Sequence, residues 1–168
     1  RNGNMDIYAQ RVNRDGQMGW DINGKPVCTH GSFQGFFYGA DTYTRQLVIP
    51  DGSGGAIVGW YDNRNGPWDI YAQRIDAGGN RLWVADGIAL YTGSYAKESL
   101  KLVQDGNQGA IATVAVNLGN GDRDIYSTRI NAFGYNVWNT PVCVLPSSGL
   151  RPSSTPDGSN GAIIVWQD

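Results

Sequence analysis

Gly55-Ala56-Ile57-Val58-Gly59-Trp60-Tyr61-Asp62-Asn63-Arg64-Asn65-Gly66-Pro67-Trp68-Asp69-Ile70-Tyr71-Ala72-Gln73-Arg74 decides the fold, because its parts return along the chain. Asp69-Ile70-Tyr71-Ala72-Gln73-Arg74 repeats Asp6-Ile7-Tyr8-Ala9-Gln10-Arg11 and comes back as Asp124-Ile125-Tyr126-Ser127-Thr128-Arg129. Asp6 to Asp69 is 63 residues and Asp69 to Asp124 is 55. A period of that size marks an array of like units. A repeated residue is first of all structural, so chemistry is sought where the copies disagree.

Outward from the repeat, each unit shows one order of signals. The turns Asp51-Gly52-Ser53-Gly54-Gly55, Asp105-Gly106-Asn107-Gln108-Gly109 and Asp157-Gly158-Ser159-Asn160-Gly161 carry residues that tolerate positive φ. Short β-branched runs follow them, Ala56 to Trp60, Ala110 to Val114 and Ala162 to Trp166, which read as strands. The Asp-Ile-Tyr run is the next strand. A turn such as Asp76-Ala77-Gly78-Gly79 comes after it, then a tryptophan (Trp20, Trp83, Trp138) and a short strand around Val27, Ile88 or Val142. The unit has four strands: a (Gln46 to Pro50), b (Ala56 to Asp62), c (Asp69 to Asp76) and d (Leu82 to Leu90). No sustained 3.6-residue apolar period is present, so almost no helix is expected. The fold expected is all-β, a β-propeller of four-stranded antiparallel blades; a solenoid, the rival architecture, uses shorter units with fewer strands.

The segments divide as residues 1–30 (strands c and d of a split blade), 44–90 and 98–145 (two blades) and 150–168 (strands a and b of the split blade). Joining Val165-Trp166-Gln167-Asp168 to Arg1-Asn2-Gly3-Asn4-Met5-Asp6 gives the same Trp-x-Asp, Arg-Asn-Gly and Asp landmarks as the sequence from Trp60 to Asp69, apart from one residue of length. Two readings follow. In one, a second copy of the chain supplies the missing halves about a two-fold axis, strand b of each pairing with strand c of the other, and a six-bladed ring closes. In the other, the chain is a piece of a longer array.

Composition excludes several classes. The 168 residues hold 24 glycines, which suits turn-dense β structure, and a formal net charge of −2 with scattered Lys and Arg, which argues against a nucleic-acid surface. Lys97, Lys101 and Arg45 form the largest basic cluster and read as solvated surface. No apolar run is long enough for a membrane span. Position 1 is not Met and no leader is visible, which reads as a processed form or a part of one. Cys28 and Cys143 occupy matching places in different units, too far apart to bridge, so two free, mostly buried thiols are expected.

The stretch from Gly55 to Trp83 resembles the repeat of bacterial secreted and cell-surface proteins that form β-propellers, and Val27-Cys28-Thr29-His30-Gly31 is similar to the end of strand d in that repeat. The resemblance covers nearly the whole chain. It implies an exported, extracellular or cell-surface propeller and no particular activity. The turn from Asp76 to Trp83 is similar to the Asp-box of sialidase-like propellers but has one extra residue before the tryptophan.

Candidate chemistry is sparse. Arg11, Arg74 and Arg129 share one repeat position and read as partners of repeat acids or as cover for strand c, rather than as an anion-binding cluster. Asp51, Asp62 and Asp69 read as turn residues, since no compact Asp-rich loop supplies the 6–8 oxygens calcium takes; no metal and no cofactor are expected. The only histidine is His30 and the only glutamate Glu98, which leaves little for a catalytic triad or a glycosidase pair. The copies disagree in two places. Val114 and Val116 stand where Trp60 and Asp62 stand, and the stretch from Val27 to Asp51 is 24 residues against 17 from Ile88 to Asp105 and 15 from Val142 to Asp157. The excess, a long d-to-a connection, contains Phe33, Phe36, Phe37, Tyr38, Asp41 and Tyr43. With His30 these are the candidate ligand-binding residues: exposed, they suit a sugar ring or a protein partner; folded back, they would plug the blade packing. The function expected is a non-enzymatic extracellular binding or scaffold module, with a ligand-free structural repeat domain and a glycan-processing enzyme as alternatives.

Overall fold

The computed structural model describes residues 3–36, 47–144 and 149–167. Those residues are all-β, with thirteen strands in four antiparallel sheets and no helix among them. The first sheet pairs β1 (Ile7–Ala9) with β2 (Lys25–Cys28). The second sets β3 (Gln34–Gly35) and β4 (Val48–Pro50) side by side along β5 (Ala56–Asp62), followed by β6 (Asp69–Ile75) and β7 (Ile88–Tyr91). The third is a meander of β8 (Ala96–Gln104), β9 (Ala110–Asn117), β10 (Arg123–Ile130) and β11 (Asn136–Cys143). The fourth pairs β12 (Leu150–Pro156) with β13 (Ala162–Gln167). The sheets stack in chain order. The first sits on the second around Val27, Trp60 and Tyr71, and the second on the third around Ile57, Tyr61, Leu100 and Leu102. β12 lies against β8 and β9. The edge strands β4, β8 and β12 share one hollow of about 310 Å³.

One turn device shapes the hairpins. Asp51 Oδ1 accepts the N–H groups of Ser53 and Gly55, both at 2.8 Å. Asp105 does the same for Asn107 and Gly109, and Asp157 for Ser159 and Gly161. Asn13, Asp76 and Asn131 repeat it in the turns after β1, β6 and β10. The side-chain oxygen stands in for a backbone acceptor two and four residues on, which closes the turn without water. In the turns before β5 and β9 the second oxygen has its own task. Asp51 Oδ2 takes Arg74 Nε at 2.9 Å, and Asp105 Oδ2 takes Arg129 Nε at 3.0 Å. The expectation that the repeated arginines meet repeat acids holds for these two.

The repeat also fixes irregularities. The pairings β1–β2, β6–β7 and β10–β11 each shift register at the same point, between Ile7 and Tyr8, Ile70 and Tyr71, and Ile125 and Tyr126. β8 and β12 each carry a two-residue bulge, with Ser99 at φ 55 and Arg151 at φ 51.

Three sequence expectations change. Strand d is β7, Ile88–Tyr91, and not Leu82–Leu90: only Arg81 bridges Ile75 before Asp86 and Gly87 turn the chain at positive φ. Gly87 is required there, since a Cβ would stand 2.5 Å from the Trp60 ring. The third sheet starts at Ala96, two residues before the expected boundary at 98. The basic cluster is not solvated: Lys97 is fully buried, with Nζ 2.6 Å from Asp69 Oδ1, and Lys101 is buried too, while Arg45 lies outside the described residues. Both thiols are free; Cys28 is buried and Cys143 half-buried.

Burial raises the Asp51 carboxyl, but the Ser53 and Gly55 N–H groups and Arg74 outweigh it and hold the group below its ordinary value of 3.8. Its contribution to stability is therefore complete above that value and lost as pH falls below it. Asp51→Asn keeps the turn acceptor and strands the buried Arg74 guanidinium, at a cost of about 3 kcal/mol. Asp76→Asn, in an exposed turn where no arginine meets the carboxylate among the described residues, leaves stability nearly unchanged. Urea unfolding followed by tryptophan fluorescence at pH 7 separates the two.

Candidate functional site

The segment that carries His30, Phe33 and Phe36 leaves β2 at Cys28 and crosses to the β5–β6 end of the second sheet. It is stitched down on both sides. Asn4 Nδ2 donates to the carbonyls of His30 (2.7 Å) and Ser32 (2.9 Å), Gln34 N donates to Met5 O, and Thr29 N donates to Asp86 Oδ1. Phe33 and Asn63 bond reciprocally: Phe33 N to Asn63 Oδ1 at 3.0 Å, and Asn63 N to Phe33 O at 3.2 Å. Gln34 and Gly35 then pair with Asp62 and Tyr61.

That pairing corrects the expected long d-to-a connection. Gln34 faces Asp62 as Lys97 faces Val116, the equivalent residue of β9, so strand a has already begun at Gln34. The excess chain lies inside strand a. Between Gly35 and Leu47 the sequence has residues 36–46, where the third sheet has only the bulge Ser99-Leu100. Phe33 is 48% exposed and Phe36 41% exposed. Phe37, Tyr38, Asp41 and Tyr43 lie outside the described residues.

The polar centre beneath this segment is Asp62. Its Oδ1 accepts from Ser32 Oγ, Arg64 N and Arg64 Nε, and its Oδ2 from Trp60 Nε1 (3.1 Å) and Arg64 Nη2 (2.6 Å). Burial would raise the carboxyl, but the Arg64 and Trp60 hydrogen bonds prevail and hold it below the usual range. Arg64 also donates to Asp86 O at 2.9 Å and stacks 3.9 Å above the Tyr71 ring. An ionised carboxylate with five donors has no capacity left to act as a base.

His30 Nδ1 lies 2.8 Å from Ser32 Oγ, which in turn donates to Asp62 Oδ1 at 3.2 Å. The hydroxyl therefore stands between imidazole and carboxylate. An acyl-transfer triad needs the imidazole in the middle, so that the carboxylate orients the base and the base takes the hydroxyl proton. Here the group anchors a loop. Ser32, Asn63 and Arg64 were not singled out as site residues from sequence; the Asp-Asn-Arg run was legible only as a turn, and nothing in it announces that it grips a segment 30 residues upstream.

Comparison with protein-family models, curated proteins and solved structures finds no match to this chain.

Burial pushes the Cys28 thiol up to about 11, and the side chain is fully covered. At pH 8 a chromogenic thiol reagent should titrate one thiol of the native protein, Cys143, and reach the second only on unfolding. Cys143→Ser should abolish the native-state reaction.

Proposed function

We propose that this chain is a non-enzymatic extracellular binding module, built on a β-propeller, that recognises a carbohydrate through the aromatic segment beginning at Phe33. The observation that carries the reading is the half-exposed pair Phe33 and Phe36, which flank a segment paired to β5. The backbone of Phe33 is bonded both ways to Asn63, and Gln34 and Gly35, which separate the two rings, pair with β5, so less backbone ordering is left to oppose binding. Flat aromatic faces beside polar groups suit a sugar ring. The saturated Asp62 and the order of His30, Ser32 and Asp62 favour recognition over turnover. The likeness of the repeat to that of bacterial secreted and surface proteins supports the extracellular setting. A protein partner, or a purely structural domain, is what the screen below would reveal in place of a sugar.

The propeller reading makes the four sheets three blade-equivalents in the order half, full, full, half, closed to six blades by a second copy. It is supported by the stacking of successive sheets, by β4, β8 and β12 lining a common hollow, and by the contrast between equivalent residues. Ile57 of β5 is 0% exposed while Ile163 of β13, at the same repeat position, is 57% exposed. Covering each such residue is worth about 2 kcal/mol.

A glycan-array screen tests the function. Binding that weakens by about tenfold in Phe33→Ala and in Phe36→Ala, with unfolding midpoints unchanged, is the expected result. An array with no bound glycan returns the chain to a protein-binding or structural role. Native light scattering should give twice the 18.2 kDa chain mass.

A further inference from the structure

We infer that Arg11 completes the Asp157 turn of a second copy of this chain, while Arg129 and Trp138 close on the Arg14 carbonyl of that copy. The inference rests on the ring closure proposed above and names the side chains that make the joint.

Two contacts repeat between neighbouring sheets. Arg11 Nη1 and Trp20 Nε1 of the first sheet both donate to Ala77 O, at 3.2 and 3.0 Å, in the turn after β6 of the second. Arg74 Nη1 and Trp83 Nε1 of the second both donate to Ala132 O, at 3.1 and 3.0 Å, in the turn after β10 of the third. The next pair in the series is Arg129 and Trp138, and neither meets such a carbonyl among the described residues. The turn that would supply it is the one holding Arg14, whose Asn13 makes the same side-chain bonds as Asp76 and Asn131. That turn belongs to the first sheet.

The acids give the same answer independently. Asp51 and Asp105 are buried on Arg74 and Arg129. Asp157 holds its turn through Oδ1 alone, is exposed, and receives no arginine on Oδ2 among the described residues. Arg11 is the remaining arginine of the series, and its Nε meets no carboxylate among the described residues. It lies two residues past the end of β1, the strand equivalent to those that carry Arg74 and Arg129.

Steric fit agrees. Leu102 of β8 is fully buried against Gly59 of β5. The equivalents at the proposed joint are Val48 and Val165, 55% and 60% exposed, so a smaller side chain meets a larger one.

The test is a double-mutant cycle on dimer dissociation, measured by light scattering across a dilution series, with Arg11→Met, Asp157→Asn and the double variant. Asparagine keeps the turn, as Asn13 and Asn131 show. Each single substitution should raise the dissociation constant about a hundredfold, and the double variant no further than either single. A dimer in which the effects multiply, or are absent, overturns the Arg11–Asp157 joint and leaves ring closure standing. A wild-type chain at 18.2 kDa at all concentrations overturns both.

Discussion

The division of labour between the two oxygens of one aspartate underlies the architecture. Oδ1 closes the five-residue hairpin, and Oδ2 reaches across two strands to the arginine of the Asp-Ile-Tyr strand. An amide could do the first task but not the second. The chain agrees with that distinction. The three turns before β5, β9 and β13 use Asp51, Asp105 and Asp157; of the three turns after β1, β6 and β10, whose side-chain oxygens take no arginine among the described residues, two use an amide, Asn13 and Asn131, and one uses Asp76. A charged acceptor is kept where a charge must be met, because an arginine buried without one would cost several kcal/mol.

The same arginine then binds sheet to sheet. Arg74 spends Nε on its own turn and sends Nη1 to Ala132 O and Nη2 to Gln108 of the next sheet. The indole of Trp83 lands on the Ala132 carbonyl as well. Carbonyl oxygens have two lone pairs, so one acceptor in a turn serves both donors. Hairpin closure and sheet stacking are thus coupled through a single guanidinium, and local repeat sequence specifies the spacing between sheets as well as the strands within them.

Strands b and c were legible almost residue for residue, because Ala56–Asp62 and Asp69–Ile75 are β-branched, aromatic and bracketed by turn residues. Strand d was not, because Trp83 is apolar for inter-sheet packing and not for pairing, and Leu82 beside it is exposed; Trp83 uses its indole on the third sheet while its backbone N–H goes to Gln73 Oε1. The edge strand before each b strand was the least legible. The bulges of β8 and β12 are set by register with β9 and β13, a long-range constraint with no local signature, and the pairing of β3 and β4 with the same strand β5 is no more visible locally, so the stretch between them looked like part of a long connection. Lys97 was misread for a related reason. A lysine in a polar stretch reads as solvated, and its burial depends on Asp69, 28 residues away in the preceding sheet.

The disagreement among copies has a physical logic that points back to the aromatic segment. Trp60, Asp62 and Arg64 are replaced in the third sheet by Val114, Val116 and Leu118, all three together. Exchange of a buried polar set for apolar residues as a unit is close to neutral, whereas loss of one member alone leaves an unmet charge. Stability therefore does not require the polar version in the second sheet. What that version adds is a docking surface: Asp62 accepts from Ser32, and Asn63 takes the backbone of Phe33. Val116 has no acceptor to offer, and β8 runs past it with an ordinary two-residue bulge. The polar network is retained in the sheet where strand a is interrupted, and it fixes the near end of the interrupting segment. The His30–Ser32–Asp62 chain belongs to that anchoring: the Ser32 hydroxyl, between the imidazole and the carboxylate, ties the segment to β5.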